Sequence, residues 1–251
     1  MIMNYREKQK KTQEEKKIRK LSQYRKRYAD PQIDPLDVYL TWEKRADEQI
    51  DLYRESSPLL PEAGEELYMT GYAGAAGTVF LAEWRKTQLL SRFTEAFIRT
   101  AFDKEVFDHL FEENRENPEE LPAYYMDAGA DWIAPVGEGG LLRTLYRFGK
   151  ETGLGFRVQS RAVPIRQITI EFCELLLLHP WELLTSKSFL FAAKPSAPIL
   201  ERLRKEGVPV SRIGIVTGDK QKLICRGEEE SGINRPEPDG LLTLLLEEKR
   251  P

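Results

Sequence analysis

Gly139 and Gly140 are the strongest constraint this chain places on its own fold. They separate the segment Ile133-Ala134-Pro135-Val136-Gly137-Glu138 from a helical pattern. In that pattern Leu141, Leu142, Leu145, Tyr146 and Phe148 recur at three-to-four spacing, with Arg143, Arg147 and Lys150 between them. Glycine reaches backbone conformations that other residues reach only with strain, so the spacing predicts a turn and then a helix over 138–152. A helix that opens on glycine presents unpaired N–H groups suited to a phosphate or carboxylate. The other use of the pair is a tight turn before a buried helix, and the residues alone favour that use.

The rest of the chain divides by charge. Residues 1–28 hold 11 Lys and Arg against three acids, a net of +8, and the remaining residues hold 27 bases against 38 acids, a net of −11. The formal −3 is therefore a basic arm on an acidic body. The arm reads as a charged helix with a thin seam of Ile18, Leu21, Tyr24 and Tyr28. A second, amphipathic helix is expected over 35–55, opened by Asp34 as cap and Pro35 at its first position. Residues 1–57 thus form a helical extension, and residues 62–251 form the main domain. In that domain the patterns predict a strand at 67–70, one long helix over 78–102 and a helix over 106–113. A polar loop at 114–122, a strand at 154–161 and a helix at 164–178 follow. A strand at 189–193, a helix at 195–206 and a hairpin of 211–217 with 221–226 close the series. The fold class is α+β: a small mixed sheet with helices packed on one face, preceded by the helical N-terminal segment.

Several runs, in order, resemble one family. Gly64-Glu65-Glu66-Leu67-Tyr68-Met69-Thr70 resembles a Gly-Asp strand, and Gly71, Gly74 and Gly77 before Thr78 resemble a Gly-x-x-Gly-x-x-Gly turn. Val136, Glu138, Gly139 and Gly140 fit a polar Gly-Gly helix opening. Gly155-Phe156-Arg157-Val158, Val208–Val216 and Pro236–Leu241 follow in sequence. The combination resembles the C-terminal domain of the AIR synthase-related superfamily, nearest to the hydrogenase maturation protein HypE and its unassigned relatives. The resemblance covers about three quarters of the chain, from residue 62 to the end.

That resemblance implies an ATP-binding superfamily in which a first domain carries most of the nucleotide and metal contacts. Residues 1–61 contain no glycine and do not read as such a domain. The family's polar positions also change: Ala134, Pro135 and Gly137 stand where His or Arg, Asp, and Thr are usual. In the run Thr185-Ser186-Lys187-Ser188, Lys187 stands where glycine is usual. HypE-type members end in a cysteine that accepts a carbamoyl group, whereas this chain ends Glu247-Glu248-Lys249-Arg250-Pro251, so that reaction is not expected of it.

The candidate ligand or phosphate contacts implied are Gly74, Gly77, Thr78, Gly139, Gly140, Ser186, Lys187 and Ser188. Lys187 reads either as a new anion contact or as a surface lysine whose loop no longer binds a ligand. Glu138 is the one weak catalytic candidate, against the plainer role of a carboxylate at a helix N-terminus. No metal ligands are assigned, since two histidines and two isolated cysteines give no metal spacing. No cofactor is assigned to the chain alone, and Mg-ATP enters only if a partner supplies the other half.

The first expectation is a non-catalytic binding or assembly protein, cytoplasmic, pairing as a homodimer or with a separate partner. The alternative is a subunit of an ATP-dependent enzyme whose ATP-binding half is a separate chain, activating a carbonyl or carboxamide oxygen by phosphorylation. The basic arm with Tyr5, Tyr24 and Tyr28 raises nucleic-acid binding as a weaker alternative, opposed by the acidic body. No apolar run is long enough to span a membrane. Any sheet edge left uncovered needs a partner element, and helix 35–53 is the candidate, with homodimerisation as the other route.

Overall fold

The computed structural model describes Lys44, Asp47, Glu48, Ile50, Asp51 and Arg54, residues 60–102, 121–185 and 187–235, and Gly240 and Leu241. All of them belong to one compact unit, Trp42–Pro251. The expected basic arm, the helix over 106–113 and most of the polar loop lie outside the described residues.

A seven-stranded sheet runs in the order β2-β4-β1-β5-β3-β6-β7. Its strands are β1 (Glu66–Thr70), β2 (Ala130–Pro135), β3 (Gly155–Gln159), β4 (Phe189–Ala193), β5 (Val210–Thr217), β6 (Lys222–Arg226) and β7 (Glu229–Gly232). Neighbours pair antiparallel except β3 and β6, which are parallel. The helices are α1 (Ala75–Trp84), α2 (Lys86–Leu90), α3 (Glu95–Arg99), α4 (Leu121–Asp127), α5 (Gly140–Thr152), α6 (Gln167–Leu176) and α7 (Pro198–Lys205).

Alternate strand residues point to opposite faces. Leu67 and Met69 of β1 and Leu190 and Ala192 of β4 join one apolar cluster with Leu141, Leu145 and Phe148 of α5. Tyr68 of β1 and Phe189, Phe191 and Ala193 of β4 join another, with Tyr125 of α4 and Ile199 and Leu203 of α7. The expected mixed sheet and its helical layer are present. Helices α4 and α7 add a second apolar layer on the reverse face, which packing on one face did not include.

Three expectations are corrected. The hairpin of 211–217 with 221–226 does not form: β3 lies between β5 and β6, antiparallel to one and parallel to the other. The connecting residues pass across the start of β3, where Phe156 N–H donates to Gln221 O at 2.8 Å. A Cβ on Gly155 would lie 2.6 Å from the Asp219 carboxylate, so the crossing depends on glycine there. The long helix over 78–102 is broken at Arg85 and again before Thr94, whose hydroxyl caps α3 by accepting from Phe97 N–H. The breaks let Phe93 and Phe97 fold back onto Phe172 of α6, at ring distances of 5.8 and 6.5 Å. Finally, residues 133–135, where no strand was expected, belong to strand β2.

Strand β2 is a sheet edge. The helical residues Asp47, Ile50 and Arg54 lie along it. Ile50 is fully buried in the cluster on the reverse face. Arg54 donates to Ile133 O at 3.0 Å and to Glu151 at 3.1 Å, and its guanidinium sits 5.7 Å from the Trp132 ring. Arg147 reaches Asp47 at 2.6 Å. An edge carbonyl that would invite a further strand is thus taken by an arginine. No helix among the described residues is long and apolar enough to cross a membrane.

Candidate functional site

Because β4 runs antiparallel to both its neighbours, its first residues lie beside the last residues of β1 and β2. Pro135 faces Phe189 and Met69 faces Leu190. The turns after β1 and β2 and the loop 178–188 before β4 therefore meet at one end of the sheet. Phe189 N–H donates to Thr70 Oγ1 at 2.8 Å, and Val136 N–H donates to Ser188 O at 2.8 Å. Beneath them burial holds the Tyr125 phenol well above its ordinary pKa, against the opposing effect of its hydrogen bond with Thr70.

Most of the candidate residues meet here. Gly74 caps α1 with φ of 71° and Gly139 caps α5 with φ of 73°. The Thr78 hydroxyl lies 2.8 Å from Gly74 O and 2.8 Å from Thr169 Oγ1. Ser188 is buried, and Lys187 adopts φ of 52°. The backbone conformation that favours glycine is thus kept at 187 while the glycine itself is not. Ser186 lies outside the described residues. Glu138 does not face the cluster as a lone carboxylate: it pairs with Arg143 at 2.8 Å.

The loop itself occupies the room the glycines leave. A Cβ on Gly77 would lie 2.8 Å from Leu183 Cδ1, and one on Gly74 would lie 3.2 Å from Leu183 Cδ2. A Cβ on Gly140 would lie 2.8 Å from Leu183 O and 3.0 Å from the Glu182 backbone. The helix-opening amides turn to the same loop. Gly74 N–H donates to Thr185 Oγ1 at 2.8 Å, Gly77 N–H to Leu184 O at 2.9 Å and Leu142 N–H to Trp181 O at 3.1 Å. Gly140 N–H and Thr185 N–H both donate to Gly137 O at 3.1 Å, and the Thr185 hydroxyl donates to Leu183 O at 3.2 Å.

Thr185 and Leu183, each at most 1% exposed, are the centre of this arrangement. Sequence reasoning missed both as site residues. Nothing in their spacing marks them, since their glycine partners lie 43 to 111 positions away. Thr169, which meets Thr78, was missed for the same reason.

No curated protein matches the chain by sequence. Among solved structures, HypE from E. coli superposes with a TM-score of 0.54 at 18% identity, covering 72% of this chain and 53% of that one. HypE in complex with ATP gives 0.52 at 14% identity, covering 74% and 55%. A HypE–HypF complex gives 0.52 at 17% identity, covering 70% and 54%. This chain spans about half the length of those it resembles, and at these identities the likeness is one of fold. Residues 62–226 match the family described as AIR synthase related protein, C-terminal domain. They take in β1 through β6 and all three converging turns, and by that match the chain belongs to the AIR synthase related family.

Proposed function

We propose that this chain is a degenerate AIR synthase-type C-terminal domain acting as a non-catalytic binding or assembly protein. One observation carries the reading: Leu183 and its neighbours fill the space beside Gly74, Gly77 and Gly140. A glycine turn that binds phosphate needs open room and free amides. Here the room holds a leucine, and the donors at Gly74, Gly77, Gly140 and Leu142 are spent within the chain. Ala134 and Pro135, buried in β2, further support the loss of polar chemistry at the helix opening. The domain division at 57–62, a cytoplasmic location and pairing with a second copy or a separate protein belong to the same reading. The two cysteines, free and buried, agree with that compartment.

Calorimetric titration of the full chain with Mg-ATP, with ADP for comparison, tests it. The expected result is no heat of binding at millimolar nucleotide. ATP hydrolysis that disappears in Glu138→Ala would overturn the reading.

A second reading makes the chain a subunit of an ATP-dependent enzyme, its ATP-binding half a separate polypeptide. The retained left-handed opening at Gly139 and Gly140 favours it, as do a relative's structure with ATP and another's complex with HypF. A partner that co-purifies and restores nucleotide binding would support it. Nucleic-acid binding through residues 1–28 is a weaker third reading. It predicts salt-sensitive binding that is lost when the arm is deleted.

A further inference from the structure

The loop that fills the glycine turns is bounded by two residues in an uncommon conformation. Among the described residues, the non-glycine residues with left-handed φ are Leu177 at 56° and Lys187 at 52°. One precedes and the other follows the stretch 178–185. A side chain at left-handed φ costs free energy. Such residues persist where the surrounding contacts over-determine them, commonly at clamps and switch segments. Leu177 caps α6, yet its side chain is 93% exposed, so packing does not offset the strain there.

Between these two residues the loop is tied to the turns after β1 and β2. Thr185 Oγ1 accepts from Gly74 N–H at 2.8 Å, Leu184 O from Gly77 N–H at 2.9 Å and Trp181 O from Leu142 N–H at 3.1 Å. Leu183 and Leu184 are buried. Just beyond Lys187 the bonds belong to the sheet instead: Val136 N–H donates to Ser188 O and Phe189 N–H to Thr70 Oγ1, each at 2.8 Å. The change of partners thus falls at the second strained residue.

We propose that residues 178–185 are a hinged clasp that opens as one unit about Leu177 and Lys187, short of global unfolding, and frees the amides of Gly74, Gly77 and Leu142. The loop's contacts hold both hinges in the left-handed region, and opening relaxes them. Exposure of Leu183 and Leu184 opposes opening and keeps the open form rare. Any ligand of the freed amides would have its apparent affinity reduced by the open fraction. The inference rests on the reading above, in which the loop closes the turns, and adds that the closure is reversible.

Amide hydrogen exchange of the full chain, read residue by residue by NMR, tests it. The opening constants at Gly74, Gly77 and Leu142 should agree with one another. They should exceed those at Val136 and Phe189, which lie outside the hinges, by at least about 10-fold. Leu177→Gly and Lys187→Gly should each lower the shared constant about threefold, because glycine removes strain that only the closed loop carries. Unequal constants at the three amides, constants equal to those at Val136 and Phe189, or exchange unslowed in either glycine variant would overturn the clasp. If a glycine variant fails to fold, the wild-type constants decide. Nucleotide titration of the wild type tests the reading itself, and its result does not depend on these constants.

Discussion

Gly140 opens α5 with φ of 60°, where a Cβ would meet the backbone of residues 181–183. Alanine there meets carbonyl oxygens that cannot move without shifting the loop, on top of left-handed strain. Gly140→Ala should therefore cost about 3 kcal/mol or more in urea unfolding. Gly139→Ala meets the flexible Arg143 side chain instead, so its cost should stay nearer about 1 kcal/mol. The reverse change is expected at Lys187, a non-glycine residue at φ of 52°. Lys187→Gly should raise stability by about 0.5–1 kcal/mol, strain relief exceeding the entropy glycine adds to the unfolded chain. The need for glycine at 139 and 140 was legible in the sequence, because glycine announces an unusual backbone. Leu183, whose side chain makes glycine necessary at Gly77, was not legible, because a leucine in an apolar run announces only burial.

Elements went wrong where tertiary contacts overrode local pattern. The alternation of β5 and β6 is that of two strands joined by a short turn, and the two-residue period contains nothing about which strand lies between them. The place of β3 is decided by room at Gly155 and by the shared apolar face of Phe156, Val158 and Ile224. The apparent single helix over 78–102 broke because Phe93 and Phe97 gain more against Phe172 than a continuous helix offers them. Strand β2 escaped notice because Ala130, Trp132, Ile133 and Ala134 are apolar without alternation, being buried on both faces. Its outer edge is closed by Arg54, which is only 23% exposed. Arg54→Ala should remove a charged hydrogen bond to Ile133 O and cost about 1.5–3 kcal/mol. Hydrogen exchange should rise first in β2, and unchanged protection there would argue that the edge is held by Ile50 alone.

Across the whole molecule, the turns after β1 and β2 and the loop before β4 close one end of the sheet. Leu183→Ala would empty the space beside Gly74 and Gly77, costing about 2–5 kcal/mol if the loop does not collapse. The same variant locates the loss of nucleotide binding in one titration. Mg-ATP binding gained by Leu183→Ala and absent from the wild type would identify Leu183 as what blocks an otherwise competent turn. No binding by either protein would place the loss in the changed polar positions at Ala134, Pro135 and Gly137.

By itself the sequence determined the class of fold, the glycine turns and the family, because glycine spacing and apolar period act within a few residues of chain. Tertiary structure alone decided what those turns hold. The loop 178–188 reaches Gly74, Gly77 and Gly140 across gaps of 41 to 111 residues, and β3 enters the sheet between β5 and β6. Both are contacts between distant segments whose partners are chosen by the packing of the sheet, and local sequence carries no record of that choice.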